Sequence, residues 1–182
     1  MKKINIKEIL TYWITTICIL TIIIGIIIYI DVANIEDMGY LHSSDILNER
    51  ILKSYIIICY IIIPLGIIIS SIRKSKILYT IMIILEQLSI INDFLFFKDK
   101  IYSVYKPAFL IICVLTILFS ILWIFKKINN KLMMITLLFS QLEELNWIIN
   151  NGKDTKLFSF VLTFYIFVLL LHILPIFVIK KQ

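Results

Sequence analysis

The 182-residue chain has few small or special residues: four glycines, three prolines, three cysteines, and alanine only at 33 and 108. Glycines at 25, 39, 66 and 152 build neither kind of Gly-rich phosphate loop, which excludes nucleotide binding by such loops. Cys18, Cys59 and Cys113 lack C-x-x-C or metal-ligand spacing and read as small apolar filler. Two histidines, His42 in a polar stretch and His172 in an apolar one, cannot form a bis-histidine haem site. No Ser/His/Asp or Cys/His set is assembled. We therefore expect no enzyme, no metal and no cofactor. The scarcity of Gly and Ala also removes small-xxx-small helix packing, which weighs against a carrier with closely sliding helices.

Charge is scarce too. Charged residues make up 16% of the chain and hydrophobic residues 61%, whereas a soluble domain has about 25% and roughly 45–50%. Mean hydropathy is +1.01. The apolar residues fall in runs approaching the ~20 residues a membrane-spanning helix needs. Alternating segments of about 10 residues, the mark of an outer-membrane barrel, are missing. The expected fold is all-α: a polytopic integral membrane protein, one transmembrane domain over residues 1–182, forming a compact bundle of six helices.

The spans are expected at 9–30, 54–72, 77–97, 107–125, 132–150 and 157–179, with an outer loop at 31–53. Lys2, Lys3 and Lys7 precede the first span, but its apolar run exceeds a signal peptide's and no A-x-A-like site follows, so a retained anchor is expected. A cytoplasmic N-terminus puts 11 basic residues inside (Lys2, Lys3, Lys7, Arg73, Lys74, Lys76, Lys126, Lys127, Lys131, Lys180, Lys181) and 7 outside (Arg50, Lys53, Lys98, Lys100, Lys106, Lys153, Lys156). The positive-inside rule then puts both termini in the cytoplasm, with the chain in the plasma membrane. The net charge of +6 follows from this topology and from attraction to anionic lipid. It does not indicate nucleic-acid binding.

Residues 31–53 carry Asp31, Glu36, Asp37, Asp45 and Glu49. They read as a solvated connector, or as an acidic lip over the mouth of the bundle. A faint repeat runs at a spacing of 54 residues: Leu78, Gln87, Leu88 and Asn92 fall on Leu132, Gln141, Leu142 and Asn146. Apolar matches come free in an Ile/Leu-rich chain, so the Gln and Asn pairs carry the signal. Each unit would hold two spans, related by an axis along the membrane normal.

Function is sought where polarity enters the apolar runs. A charge at a helix centre in a bilayer costs about 2.5–3.5 kcal/mol on insertion scales. Span three nevertheless carries Glu86, Gln87, Asn92 and Asp93, and span five carries Gln141, Glu143, Glu144 and Asn146. Glu86, Ser89 and Asp93 share one helix face, as do Ser140, Glu143, Trp147 and Asn150. Both faces are expected to turn towards a common polar seam for a cation, a cationic solute or a proton. His172, three residues before Pro175, is a possible proton carrier; the bland reading is a hydrogen-bonded structural histidine. The same acids also suit structural hydrogen bonds or contacts with a partner's helices.

Two functions stand side by side. The first is a small protein of transport type, permease-like or accessory, with the lipid bilayer and another membrane subunit or an ATPase as partners. The second is a non-catalytic interaction protein, an immunity or accessory factor whose buried acids bind a partner's helices.

Overall fold

Isoleucine- and leucine-rich runs without internal Gly-Pro or Asn-Gly breakers fold as helix where water is not available to compete for backbone groups. The computed structural model describes residues 6–37, 53–54, 56–96, 106–142, 145 and 158–179. The described residues form six helices and no strand. They are α1 (Ile6–Asp37), α2 (Ile57–Arg73), α3 (Lys76–Phe96), α4 (Lys106–Ile124), α5 (Asn130–Ser140) and α6 (Phe158–Val178). Two are long and apolar enough to cross a membrane, over Ile6–Ile30 and Pro107–Ile124.

Each helix packs on the next in sequence and α6 returns to α1, giving a closed ring. Polarity is arranged inside out. The buried set includes Ser70, Ser71, Thr80, Glu86, Gln87, Thr116, Ser120, Gln141 and His172. The exposed set includes Ile19, Ile23 and Ile27 on α1 and Ile111, Val114 and Leu118 on α4. Only 28% and 22% of the two long apolar windows is buried, unlike the core helix of a water-soluble domain. Several buried hydroxyls donate to their own helix one turn back, Thr21 to Ile17, Thr116 to Ile112, Ser120 to Thr116 and Thr136 to Leu132, and so need no outside partner.

Two short turns set the antiparallel neighbours α2/α3 and α4/α5, and they are built alike. Lys74 and Lys126 both adopt the left-handed conformation (φ 54° and 57°). The next amide, Ser75 N–H or Lys127 N–H, donates back to Ser70 or Leu122 across five residues, the Schellman closure. The following helix is then capped by a side chain: Ser75 Oγ accepts from Leu78 N–H, and Asn129 Oδ1 accepts from Leu132 N–H. Ser75/Leu78 and Asn129/Leu132 lie 54 residues apart, the repeat spacing. In the same register Tyr79, Met82, Ile83, Glu86 and Gln87 on α3 and Met133, Thr136, Leu137, Ser140 and Gln141 on α5 are all buried.

Some boundaries differ from expectation. Helix α1 continues to Asp37, past residue 30, because Ala33, Glu36 and Asp37 are compatible with a helix although not apolar. Helix α5 breaks after Ser140, where the Gln141 amide turns to the Leu138 and Phe139 carbonyls; beyond the break Leu142 and Leu145 are again helical, and the Leu145 amide donates to the Gln141 carbonyl. Most of loop 31–53 and residues 143–144 and 146–150 lie outside the described residues. In α2 the turn Ile57–Ile62 is π-helical, and the Ile63 amide reaches back to Ile58. Pro64 brings no N–H to the ladder, and the wider turn before it absorbs that loss.

Glycine matters at two crossings. A Cβ at Gly25 would overlap Tyr60 Cβ, and one at Gly66 would overlap the thioether of Met82. Tyr60 Cβ is fixed to the backbone of α2, whereas the Met82 tip can swing aside. For Gly25→Ala, overpacking of about 1–3 kcal/mol outweighs the ~1 kcal/mol gained in helix propensity. Gly25→Ala is therefore expected to lower the unfolding midpoint in mild detergent, and Gly66→Ala to lower it less. Equal midpoints for Gly25→Ala and the parent would remove the close α1–α2 crossing.

Candidate functional site

The site begins on α3. A face repeating at i, i+4 and i+7 puts Tyr79, Ile83 and Glu86 together, all turned into the ring. At about 1.5 Å rise per residue, Glu86 stands roughly 15 Å along the helix from Lys76, near the middle of α3. Its carboxylate meets His172 of α6, with Nε2 at 2.7 Å from both Oε1 and Oε2. His172 Nδ1 lies 2.7 Å from the Val168 carbonyl one turn back. The Tyr79 hydroxyl donates to the backbone carbonyl of His172, so α3 grips both the ring and the main chain of this residue.

A cavity of about 40 Å³ opens beside the pair, enough for a few water-sized molecules. Four helices wall it: Thr21 from α1, Cys59, Tyr60 and Pro64 from α2, Glu86 and Ile90 from α3, and Val168, Leu171 and His172 from α6. The π-helical turn and Pro64 thus sit on this wall, where backbone irregularity is tolerated because it is buried in protein beside a cavity.

Facing each other at 2.7 Å, Glu86 and His172 each give the other a hydrogen-bond partner in a buried setting. A second polar system holds the basic end of the ring. The Lys76 ammonium donates to the Trp123 carbonyl and lies 4.3 Å from the centre of the Trp123 ring. Trp123 Nε1–H donates to Asn130 Oδ1 at 3.0 Å, and its ring meets Tyr79 edge-on at 6.0 Å. Tyr79 therefore links the basic end to the buried pair.

The expected seam residues divide. Glu86 and His172 come together. Gln87 is fully buried on α3, and among the described residues neither its Oε1 nor its Nε2 has a hydrogen-bond partner. Gln141 is buried, its Nε2 likewise lacks a partner, and its backbone carbonyl accepts from Tyr165 on α6 at 2.8 Å. Asn92 is exposed, Asp93 lies on α3 with its side chain outside the described set, and Glu143, Glu144 and Asn146 lie outside the described residues. In the 54-residue register the counterpart of Glu86 is Ser140, whose hydroxyl bonds to the Leu137 carbonyl. Sequence reasoning did not pair His172 with Glu86, and it missed the α2 wall of the cavity. The Pro64 break was the available signal for that wall. Among the described residues no group of three His, Cys, Asp or Glu could hold a metal ion.

Comparison with protein-family models, with curated proteins and with solved structures gave no match. What the site can do rests on its own chemistry.

Two outcomes are expected from stability measurements in detergent. Removing the imidazole leaves Glu86 buried and unpaired, so His172→Ala should cost about 3–5 kcal/mol, and the double change Glu86→Leu/His172→Leu should recover most of that loss. Additive losses in the double variant would mean that the two side chains do not interact. Gln87→Leu removes an amide without partners and is expected to be neutral or stabilising by up to about 2 kcal/mol. A loss above that size would show that the Gln87 amide is satisfied after all.

Proposed function

We propose that this is a non-enzymatic, multi-pass plasma-membrane protein of transport type, whose interior Glu86–His172 pair handles a proton or another small cation. Six spans with both termini cytoplasmic accord with the basic residues at the α2/α3 and α4/α5 turns, Arg73, Lys74, Lys76, Lys126, Lys127 and Lys131. The inverted polarity of the ring supports the same reading, because an exposed Ile/Leu surface suits lipid tails and not water. The observation that carries the functional reading is the buried carboxylate–imidazole pair beside a cavity walled by four helices. Ionisable groups inside a membrane domain are costly, and where they occur they mark ion or proton pathways.

In proteoliposomes under an imposed pH or cation gradient, the parent protein is expected to conduct, and Glu86→Gln and His172→Gln to lose about tenfold or more of the flux. Flux unchanged in both variants would remove the transport reading.

A further inference from the structure

Building on the transport reading, we infer that the site is built for one proton, shared between Glu86 and His172, and not for a metal ion or an organic cation. The argument is an inventory of donors. The Val168 carbonyl can only accept, so His172 Nδ1, 2.7 Å away, carries a hydrogen. Nε2 then faces the two Glu86 oxygens at 2.7 Å each, and a hydrogen bond there needs a second proton. That proton sits either on Nε2, giving imidazolium and carboxylate, or on Glu86, giving neutral imidazole and carboxylic acid. Moving it between the two breaks one N–H or O–H bond, forms the other, and leaves the pair electrically neutral. Releasing it leaves carboxylate and neutral Nδ1–H imidazole, a net charge of −1 with two lone pairs opposed.

Loaded, the pair offers a cation no net charge, and both carboxylate oxygens already face Nε2. Unloaded, it offers only two ligand types, fewer than the three or four protein ligands of a typical zinc site. Among the described residues, the other titratable groups close to the pair are Tyr79, whose hydroxyl is engaged at the His172 carbonyl, and Cys59 and Tyr60 on the α2 wall; Thr21 of α1 adds a hydroxyl. No second carboxylate and no amine lines the cavity among the described residues.

The test is a nitrogen NMR titration of 15N-histidine-labelled protein in lipid nanodiscs, with His42→Asn so that His172 alone is seen. Nδ1 should remain protonated throughout, while Nε2 titrates in one step whose midpoint shifts by about one pH unit or more in Glu86→Gln. At fixed pH, added Na⁺, K⁺, Ca²⁺ or Zn²⁺ should leave both resonances in place. A bare Nδ1 in the parent protein, an unmoved midpoint in the variant, or a cation-dependent shift would each overturn the inference. Should Glu86→Gln not stay monodisperse, Glu86→Asp, which withdraws the carboxylate by one methylene, replaces it with the same expectation. Flux lost in the parent with the titration intact would fell the transport reading alone, whereas flux with a cation-sensitive His172 would fell the one-proton site alone.

Discussion

Everything inside the ring is arranged around one hydrogen-bonded carboxylate and imidazole, Glu86 and His172, held away from water by helices that present isoleucine and leucine outward. Either group alone would carry an uncompensated burial cost of several kcal/mol. Together they oblige α3 and α6 to keep one relative height and rotation, since a 2.7 Å contact does not survive a one-residue slip. The Tyr79 hydroxyl at the His172 carbonyl strengthens the same constraint, and through its ring it reaches Trp123, which fixes the α4/α5 turn. Position at the centre and position at the basic end are thus coupled by one residue.

Other buried polar groups avoid the same cost by other means, although the Ser71 and Thr80 hydroxyls, the Gln87 amide and the Gln141 Nε2 have no hydrogen-bond partner among the described residues. Hydroxyls turn to carbonyls of their own helix, and the two Lys turns close with Schellman bonds followed by Ser75 and Asn129 caps. A left-handed lysine costs roughly 1–2 kcal/mol relative to the ordinary helical conformation. The Ser75 and Asn129 caps hold equivalent places in the faint sequence repeat, the left-handed lysines lie two residues out of that register, and the α2/α3 and α4/α5 connections close alike. Among the described glycines, two sit at close helix approaches, Gly25 against Tyr60 and Gly66 against Met82.

Helix positions were legible where composition changes sharply. Spans expected at 77–97, 107–125 and 157–179 compare with helices over Lys76–Phe96, Lys106–Ile124 and Phe158–Val178. Lys76, Pro107 and the charged stretch before Leu157 mark those edges. The break after Ser140 was not legible, because residues 141–150 keep an apolar period while the Gln141 amide turns back on Leu138 and Phe139. Of the site, Glu86 stood out as a charge in an apolar run. Its partner did not, because periodicity tells which side of a helix a residue occupies and says nothing about which distant helix faces that side. Gln87 and Gln141 share a register and are both buried, yet among the described residues neither side-chain amide nitrogen finds a hydrogen-bond partner, a detail of packing that spacing cannot carry.

The distance between the paired residues along the chain has a consequence for biogenesis. His172 is synthesised 86 residues after Glu86. At roughly 5–20 residues per second of translation, the acid precedes its base by about 4 to 17 s. In a membrane setting the nascent α3 passes that interval without the imidazole that Glu86 faces in the folded bundle. Final seating of α3 thus awaits the arrival of α6.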